Sequence, residues 1–162
     1  MNPLIPICFI IFKGVVSGPE TIDAAIPLIE KAGVSVEVVS IETEVEDLYA
    51  STDNVFRYTR KVFGNFGDSE CFVLVLSGKP SGTLRGRAST NCSSHKRGVG
   101  VVFNHGNTAI DSMVVAHETG HLIGMTHHNY YNKTIDNSSA GPWTEWSRPA
   151  VREMHRCLKR KK

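Results

Sequence analysis

The sequence predicts one α/β domain built on a largely parallel sheet. Three runs, at residues 5–12, 34–41 and 71–76, are rich in apolar and β-branched side chains, as is typical of strands. Segments with helical periodicity separate them, and alternation of strand and helix produces parallel strands with right-handed crossovers. The 162 residues suffice for one domain with its own core, whereas two ordinary domains need a longer chain.

The first strand and the first helix open the chain. Residues 5–12 resemble the apolar part of a signal peptide, but no basic residue precedes them and no small-residue cleavage site is evident, so we interpret them as a strand buried on both faces. Pro19 then begins a helix that Gly33 ends, and Pro27 is expected to kink it or weaken its hydrogen bonding. Its predicted buried stripe consists of Ile22, Ile26 and Ile29.

The middle of the chain continues the alternation. A strand at 34–41 precedes a helix at 51–63, which has apolar residues at helical spacing and a glycine-rich end. The third buried strand lies at 71–76. We then expect a loop with one short exposed strand at 84–88, followed by a fifth strand at 99–103.

Two more helices complete the prediction. The first covers residues 108–123, with Thr108 and Asp111 at capping-box spacing. A polar, irregular stretch follows, and the last helix is capped at Ser147 and entered through Pro149. Its predicted inner face consists of Val151, Met154 and Leu158.

Composition and charge exclude several classes of protein. The chain is 41% hydrophobic and 21% charged, which is close to globular averages and excludes low-complexity and disordered classes. Its formal charge is +2, and the basic residues cluster only at 159–162, so we expect no nucleic-acid partner. No apolar run approaches the roughly 18 residues that span a bilayer, so we expect no membrane span.

The stretch that carries chemistry is residues 117–127, His-Glu-Thr-Gly-His-Leu-Ile-Gly-Met-Thr-His. His117 and His121 lie four residues apart on a helix, so both imidazoles project from one face within reach of one ion. Gly124 can adopt the positive φ that reverses the chain, which brings His127 back as a third nitrogen. Three nitrogens leave one zinc position open for catalysis, and Glu118 stands beside it as a general base. A metal-free helix with surface histidines is the alternative, but this pattern is rare by chance in a chain with seven histidines.

The pattern His-Glu-x-x-His-x-x-Gly-x-x-His resembles the metzincin zinc endopeptidases. Residues 98–105, leading into 113–118, and residues 82–88 with Cys92 shortly after them are similar to the adamalysin or reprolysin branch. The resemblance is clear over residues 71–128, and the strand order before them is compatible with it.

The resemblance implies a metzincin-like twisted five-stranded mixed sheet with an antiparallel edge strand, an active-site helix and a small C-terminal helical subdomain. The single catalytic domain, residues 1–162, would divide into an upper subdomain of about 1–124 and a lower one of about 125–162. A protein or peptide substrate would lie extended along the edge strand at 84–88 and pair with it as an added strand. The substrate-binding residues would be Leu84, Arg85, Gly86 and Val114.

The resemblance also implies the reaction, which is hydrolysis of peptide bonds with Zn²⁺ as cofactor. His117, His121 and His127 would be the metal ligands. Zinc would polarise the substrate carbonyl, and Glu118 would be the catalytic base that takes a proton from water and passes it to the leaving amine.

Two positions depart from the family pattern. Metzincins place a methionine in a tight turn beneath the zinc, and residues 134–138 contain none. Asp136 occupies that place in the sequence, and Met154 is the alternative turn residue. The branch usually has aspartate directly after the third ligand, whereas this chain has His128. Both His127 and His128 are therefore candidates for the third ligand, and the spacing favours His127.

Other candidate residues have ordinary interpretations. Isolated histidines usually have surface or capping roles, and two tyrosines soon after the motif are expected to pack at the surface or wall rather than contribute a phenol to the reaction. These residues are His95, His105, His155, Tyr130 and Tyr131.

The four cysteines show no C-x-x-C spacing, which argues against a cysteine zinc site. The resemblance pairs Cys92 with Cys157, a bridge that ties the C-terminal helix to the upper subdomain. Cys8 and Cys71 fall on strands that the implied order makes neighbours, and both a bridge and buried thiols remain open. Cysteine pairing is compatible with secretion, as are the glycosylation sequons at Asn91, Asn132 and Asn137.

We therefore predict a secreted, monomeric, zinc-dependent endopeptidase, and expect neither a prodomain nor a full-length C-terminal subdomain. A second hypothesis is a zinc-binding but weakly catalytic module that captures peptides or proteins. The missing turn methionine motivates it, whereas the presence of Glu118 argues against it. Unpaired cysteines and unglycosylated sequons would instead favour an intracellular aminopeptidase-like enzyme.

Overall fold

A computed structural model describes residues 1–46, 71–78, 84–89, 92, 98–130 and 133–160. Along these residues run five strands, β1 (Leu4–Phe12), β2 (Ser35–Val45), β3 (Phe72–Ser77), β4 (Gly86–Ala88) and β5 (Val99–Phe103). The same residues form three helices, α1 (Gly18–Glu30), α2 (Thr108–Leu122) and α3 (Arg148–Arg160). The helix predicted at 51–63 lies outside the described residues.

The strands form one sheet in the order β2-β1-β3-β5-β4. The first four in that order are parallel, and β4 runs antiparallel to β5 at the edge. This arrangement confirms the predicted α/β fold with a mixed five-stranded sheet and an antiparallel edge strand.

Two strand boundaries differ from the prediction by two residues or more, and the others agree within one residue. β2 continues to Val45, four residues beyond the predicted end, through a stretch that is mostly exposed and whose polar composition hides it. β4 begins only at Gly86, while Leu84 forms an isolated bridge before it. Arg85 still contributes to the edge, because its carbonyl accepts a hydrogen bond from Phe103 N at 2.8 Å.

The sheet is covered on both faces, which explains the uninterrupted apolar runs of β1, β3 and β5. On one face, side chains from these strands pack against α1, α2 and α3, with Ile7, Phe9 and Met113 fully buried. On the other face lies a smaller cluster that includes Phe12, Val75 and Phe103. The active-site helix predicted from the sequence is α2, which contacts both the sheet and α1.

The first helix keeps its predicted stripe. Ile22 and Ile29 are buried and Ile26 is partly buried against the same cluster. Pro27 does not end α1, because the helix continues beyond it as far as Glu30. His155 has the capping role expected of it, since its Nε2 lies 2.7 Å from the carbonyl of Ala32 just beyond α1.

Both cysteine pairs are disulfides. Cys8 in β1 is bonded to Cys71 before β3, with their Cα atoms 5.7 Å apart, so the pairing left open by the sequence is formed. Cys92 is bonded to Cys157 of α3, as the resemblance implied. The two disulfides join cysteines that are 63 and 65 positions apart in the sequence. In the chain-entropy model, a disulfide that closes a loop of this length stabilises the folded state by about 4 kcal/mol.

Among the described residues, no helix combines the length and the apolar character that crossing a bilayer requires.

Candidate active site

The start of α2 corrects one prediction. Asn107, not Thr108, is the N-cap residue, because its backbone is extended and its side chain accepts a hydrogen bond from Ile110 N at 3.1 Å. Asp111 does not complete a capping box. Its carboxylate instead accepts hydrogen bonds from the backbone N–H groups of His105 and Gly106, both at 3.1 Å. The aspartate side chain thus binds the backbone of the loop before α2 instead of the capping residue.

The end of α2 turns back as the sequence predicted. The helix ends at Leu122, and Gly124 has φ +102°. A Cβ at position 124 would lie 2.5 Å from Cys157 Cβ. Both the backbone conformation and the close approach of α3 therefore require glycine there. The reversed chain carries His127 back over the face of α2.

Three histidines converge on one point. The Nε2 atoms of His117, His121 and His127 lie 3.1 Å from one another in every pair. Within the described residues, this is the only group of three or more histidine, cysteine or acidic side chains with metal-binding geometry. The predicted ligands are therefore brought together.

Main-chain carbonyls orient two of these rings. His117 Nδ1 contacts the carbonyl of Ile135, and His121 Nδ1 lies 2.8 Å from the carbonyl of Met125. Since a carbonyl only accepts, each Nδ1 carries the hydrogen and each Nε2 directs a lone pair at the common point. Two lone pairs 3.1 Å apart repel each other unless a cation lies between them.

The electrostatics favour neutral rings. Burial, and then the neighbouring His121, lower the pKa of His117 to about 4. Burial also lowers the pKa of His121. Both rings are therefore uncharged at neutral pH, which is the state in which an imidazole can bind a metal. Nitrogens that bind one tetrahedral zinc ion at about 2.1 Å lie about 3.4 Å apart, so the observed triangle fits zinc with a small expansion.

Glu118 lies beside this triangle in an apolar environment. It is 5% exposed, and burial raises the pKa of its carboxyl to about 8. Among the described residues, no group donates a hydrogen bond to Glu118 Oε2. Burial of a carboxyl whose Oε2 has no donor strengthens its affinity for a proton, which suits a general base.

A turn that includes Ile135 contacts His117, and the sequence resemblance aligns this turn with the methionine turn of metzincins. Asp136 in this turn is fully buried, and its carboxylate accepts hydrogen bonds from Ser147 N at 2.8 Å and Ser147 Oγ at 2.6 Å. Ser147 in turn caps α3 as predicted, with Ala150 N donating to its Oγ at 3.3 Å. Met154, the alternative turn residue, lies instead on the buried face of α3.

His128 points away from the three-histidine group. Its Nε2 contacts a carboxylate oxygen of Glu153 in α3. Thr126 Oγ1 donates to the same carboxylate at 2.9 Å. Partial burial opposes ionisation of Glu153, but the hydrogen bonds from His128 and Thr126 outweigh it and lower the pKa of that carboxyl.

A cleft of about 620 Å³ opens in front of the site. His117, Glu118 and His127 line it, together with the four predicted substrate-binding residues, Leu84, Arg85, Gly86 and Val114. Gly86 allows close approach, because a Cβ there would lie 2.8 Å from Glu118 Oε1.

Sequence reasoning missed part of the lining, namely His105, Met113 and residues 137–140. Met113 precedes Val114 on α2 and was open to prediction, whereas the others lie in irregular segments without a periodic signal. Tyr130 is 92% exposed and does not line the cleft. Tyr131 and His95 lie outside the described residues.

Comparisons with known proteins agree with this geometry. Residues 78–145 match the model of a family described as dual-action HEIGH metallopeptidases. No curated protein matches the chain in sequence.

Solved structures with a similar fold include the following three. One is a chain in a chaperone–substrate complex, with a TM-score of 0.68 and 14% identity over 99% of this chain, which spans 35% of that chain. Archaemetzincin from Methanopyrus kandleri has a TM-score of 0.69 and 16% identity over 96% of both chains. A zinc-dependent peptidase from Methanocorpusculum labreanum (strain Z) has a TM-score of 0.51 and 14% identity over 94% of this chain and 99% of that chain.

At 14–16% sequence identity, the likeness to these structures shows the fold alone. The chemistry follows from the metallopeptidase family match and from the three converging histidines, which together support zinc as the cofactor. The protein is thus indicated to be a zinc metallopeptidase.

Proposed function

We propose that the protein is a zinc-dependent endopeptidase in which His117, His121 and His127 hold the metal and Glu118 is the general base. The observation that carries the proposal is the triangle of Nε2 atoms, 3.1 Å on each side, at the wall of the cleft beside a buried glutamate. When bound, zinc polarises a carbonyl and makes water a better nucleophile at neutral pH.

Glu118 is suited to moving the proton. Its Oε2 lacks a hydrogen-bond donor within the described residues, so the carboxylate is a stronger base than one in water. Taking a proton from water in the cleft relieves the unfavourable burial of its charge. The same carboxyl then delivers that proton to the leaving amine nitrogen, which completes hydrolysis and restores the base.

The edge strand supplies a way to hold substrate. β4 is paired on one side with β5, and Leu84, Arg85 and Gly86 line the cleft. An extended peptide pairing with this edge would place its backbone beside Glu118, and Val114 of α2 would contact its side chains. Because such pairing uses the peptide backbone and no chain terminus, it favours an endopeptidase over an exopeptidase.

The finer assignments rest on the sequence resemblance. We propose a secreted, monomeric metzincin of the adamalysin or reprolysin branch, with one catalytic domain over residues 1–162. The two disulfides support secretion, because such bonds persist in oxidising compartments. The sequons add little support, since Asn137 is buried and accepts a hydrogen bond from Ser139 N at 2.8 Å, and Asn91 and Asn132 lie outside the described residues.

A second candidate function is a zinc-binding module that captures peptides with little catalysis. The observation that favours it is Asp136, a carboxylate in the turn where metzincins carry methionine. However, this carboxylate accepts two hydrogen bonds from Ser147, which gives it a structural role. The presence of Glu118 favours a catalytic enzyme over a capture module.

Zinc content and cleavage of an unstructured protein, measured with and without a chelator, test the proposal. We expect about one equivalent of zinc, internal cleavage and loss of cleavage with the chelator. Glu118→Ala should keep the zinc and abolish cleavage. Zinc binding without cleavage by the parent would favour the capture module, and full activity in Glu118→Ala would contradict the mechanism.

A further inference from the structure

The three histidines differ in what holds their rings. His117 and His121 each place Nδ1 against a main-chain carbonyl, the kind of bond that fixes the orientation of a metal ligand. Within the described parts of the chain, no hydrogen bond reaches Nδ1 of His127. Since its Nε2 nevertheless lies 3.1 Å from both partners, its position must be set through the backbone that carries it.

One carboxylate contacts the residues on both sides of His127. Glu153 accepts hydrogen bonds from Thr126 N at 3.3 Å and from Thr126 Oγ1 at 2.9 and 3.1 Å. It also contacts His128 Nε2. The side chains of Glu153 and His128 are only 26% and 22% exposed, so solvent competes weakly for these bonds.

Glu153 acts from an anchored helix. Met154, the next residue in α3, is fully buried in the core. Cys157, one turn later, is bonded to Cys92 and lies against Gly124 at the start of the same loop. The loop is therefore held by a side chain whose own backbone is fixed.

We propose that Glu153 is the positioning residue for the third zinc ligand, holding His127 in place through Thr126 and His128. The inference rests on the ligand set of the proposed function. A loop held in its binding geometry before zinc arrives loses less conformational freedom on binding. Glu153 is suited to this because an ionised carboxylate accepts several bonds at once, each stronger than a bond to a neutral acceptor.

Zinc affinity, measured by competition with a chelating indicator, tests the role of Glu153. Residues that support a metal ligand typically change affinity by about 10–100-fold, so Glu153→Ala should weaken zinc binding by that factor. Glu153→Gln should weaken it less, since the amide oxygen still accepts from Thr126. Glu145→Gln is the matched control, because Glu145 pairs with Lys31 at 3.0 Å on the surface, and it should bind zinc like the parent.

Cobalt provides a readout that a merely structural role would not change. The visible spectrum of bound Co²⁺ reports ligand geometry, so Glu153→Ala should change it and Glu145→Gln should not. A folded Glu153→Ala variant with parental zinc affinity and cobalt spectrum would overturn the inference. So would a variant with a lower melting temperature and unchanged affinity.

Two further variants keep the test decisive. If Glu153→Ala fails to fold, Thr126→Val at an exposed position removes only the hydroxyl bonds and should weaken zinc binding several-fold, whereas parental affinity would overturn the inference.

His127→Ala separates this inference from the proposed function. If His127→Ala binds zinc like the parent, the ligand set is wrong. If it binds weakly while the folded Glu153 and Thr126 variants do not, only the positioning role is wrong.

Discussion

Glu118 lies directly against the backbone of Gly86, so closely that a Cβ on Gly86 would be 2.8 Å from Glu118 Oε1 and 2.9 Å from Glu118 Cγ. Glu118 can therefore pack this closely against the edge strand only because residue 86 has no side chain. This contact joins the strand proposed to hold substrate to the group proposed to move the proton.

Gly86→Ala should lower kcat by about 10–100-fold, because it displaces Glu118 and a shift of about 1 Å in a catalytic group has effects of that size. Zinc content should stay near one equivalent, since Gly86 is not one of the proposed ligands. Steady-state kinetics and metal analysis check both points. Arg87→Ala, on an exposed position of the same strand, is the control and should keep kcat within a few-fold. Parental kcat in Gly86→Ala would show that this contact does not position Glu118.

Metal-free protein should lose stability as pH rises from 6.5 to 8. Burial raises the pKa of Glu118 from 4.5 to about 8, so between these values the folded state keeps a proton that the unfolded state has lost. The buried His117, with its pKa lowered from 6.5 to about 4, and His121, whose pKa burial also lowers, act in the opposite direction, chiefly below pH 7. The free energy of unfolding should therefore fall by about 1 kcal/mol over this window.

Urea denaturation of chelator-treated protein at several pH values measures this fall. Glu118→Gln cannot ionise and should remove this fall, so that the unfolding free energy no longer decreases from pH 6.5 to 8. The same slope in parent and variant would mean that another group is responsible.

His127→Ala should weaken zinc binding far more than His128→Ala. The first change removes a proposed ligand, and the second removes one of the contacts to Glu153. We expect the effect of His128→Ala to stay within the range of about 10–100-fold that supporting residues show, and that of His127→Ala to exceed it. Chelator competition measures both affinities, and the reverse order would identify His128 as the ligand.

Asp136→Met should destabilise the protein, although it would restore the residue type that metzincins have in this turn. Removing the buried carboxylate leaves Ser147 N and Ser147 Oγ without their acceptor, and unpaired buried groups cost about 1–3 kcal/mol each. Asp136→Asn keeps one acceptor oxygen and should lose less. Denaturant unfolding of the metal-free proteins checks the order. Unchanged stability and higher activity in Asp136→Met would show that the carboxylate is dispensable.

The regular parts of the site could be predicted because local pattern determines them. The apolar runs of β1 and β3 reflect burial on both faces of the sheet, and the spacing of His117 and His121 reflects the pitch of α2. Gly124 was identifiable because the chain must reverse for a third histidine to reach the first two. The cap of α2 was placed one residue late, since Asn107 and Thr108 are both good capping residues and only the extended backbone of Asn107 decides between them.

The irregular wall of the cleft could not be predicted. Residues 137–140 and His105 line it through the paths of loops, which carry no periodic signal. The contact of Glu153 with Thr126 and His128 joins residues 27 and 25 positions apart. It depends on how α3 packs against the loop, which is a property of the whole fold.

Gly124 is fixed by two constraints that do not depend on each other. Its φ of +102° excludes most side chains whatever the surroundings, and Cys157 fills the space a Cβ would need. Replacing both cysteines of the Cys92–Cys157 bridge by alanine would remove Sγ, 2.8 Å from that Cβ, but would keep the Cβ of residue 157 at 2.5 Å, so the clash and the backbone constraint would both remain. Glycine at position 124 is therefore required separately by the turn that returns His127 to the site and by the close approach of α3.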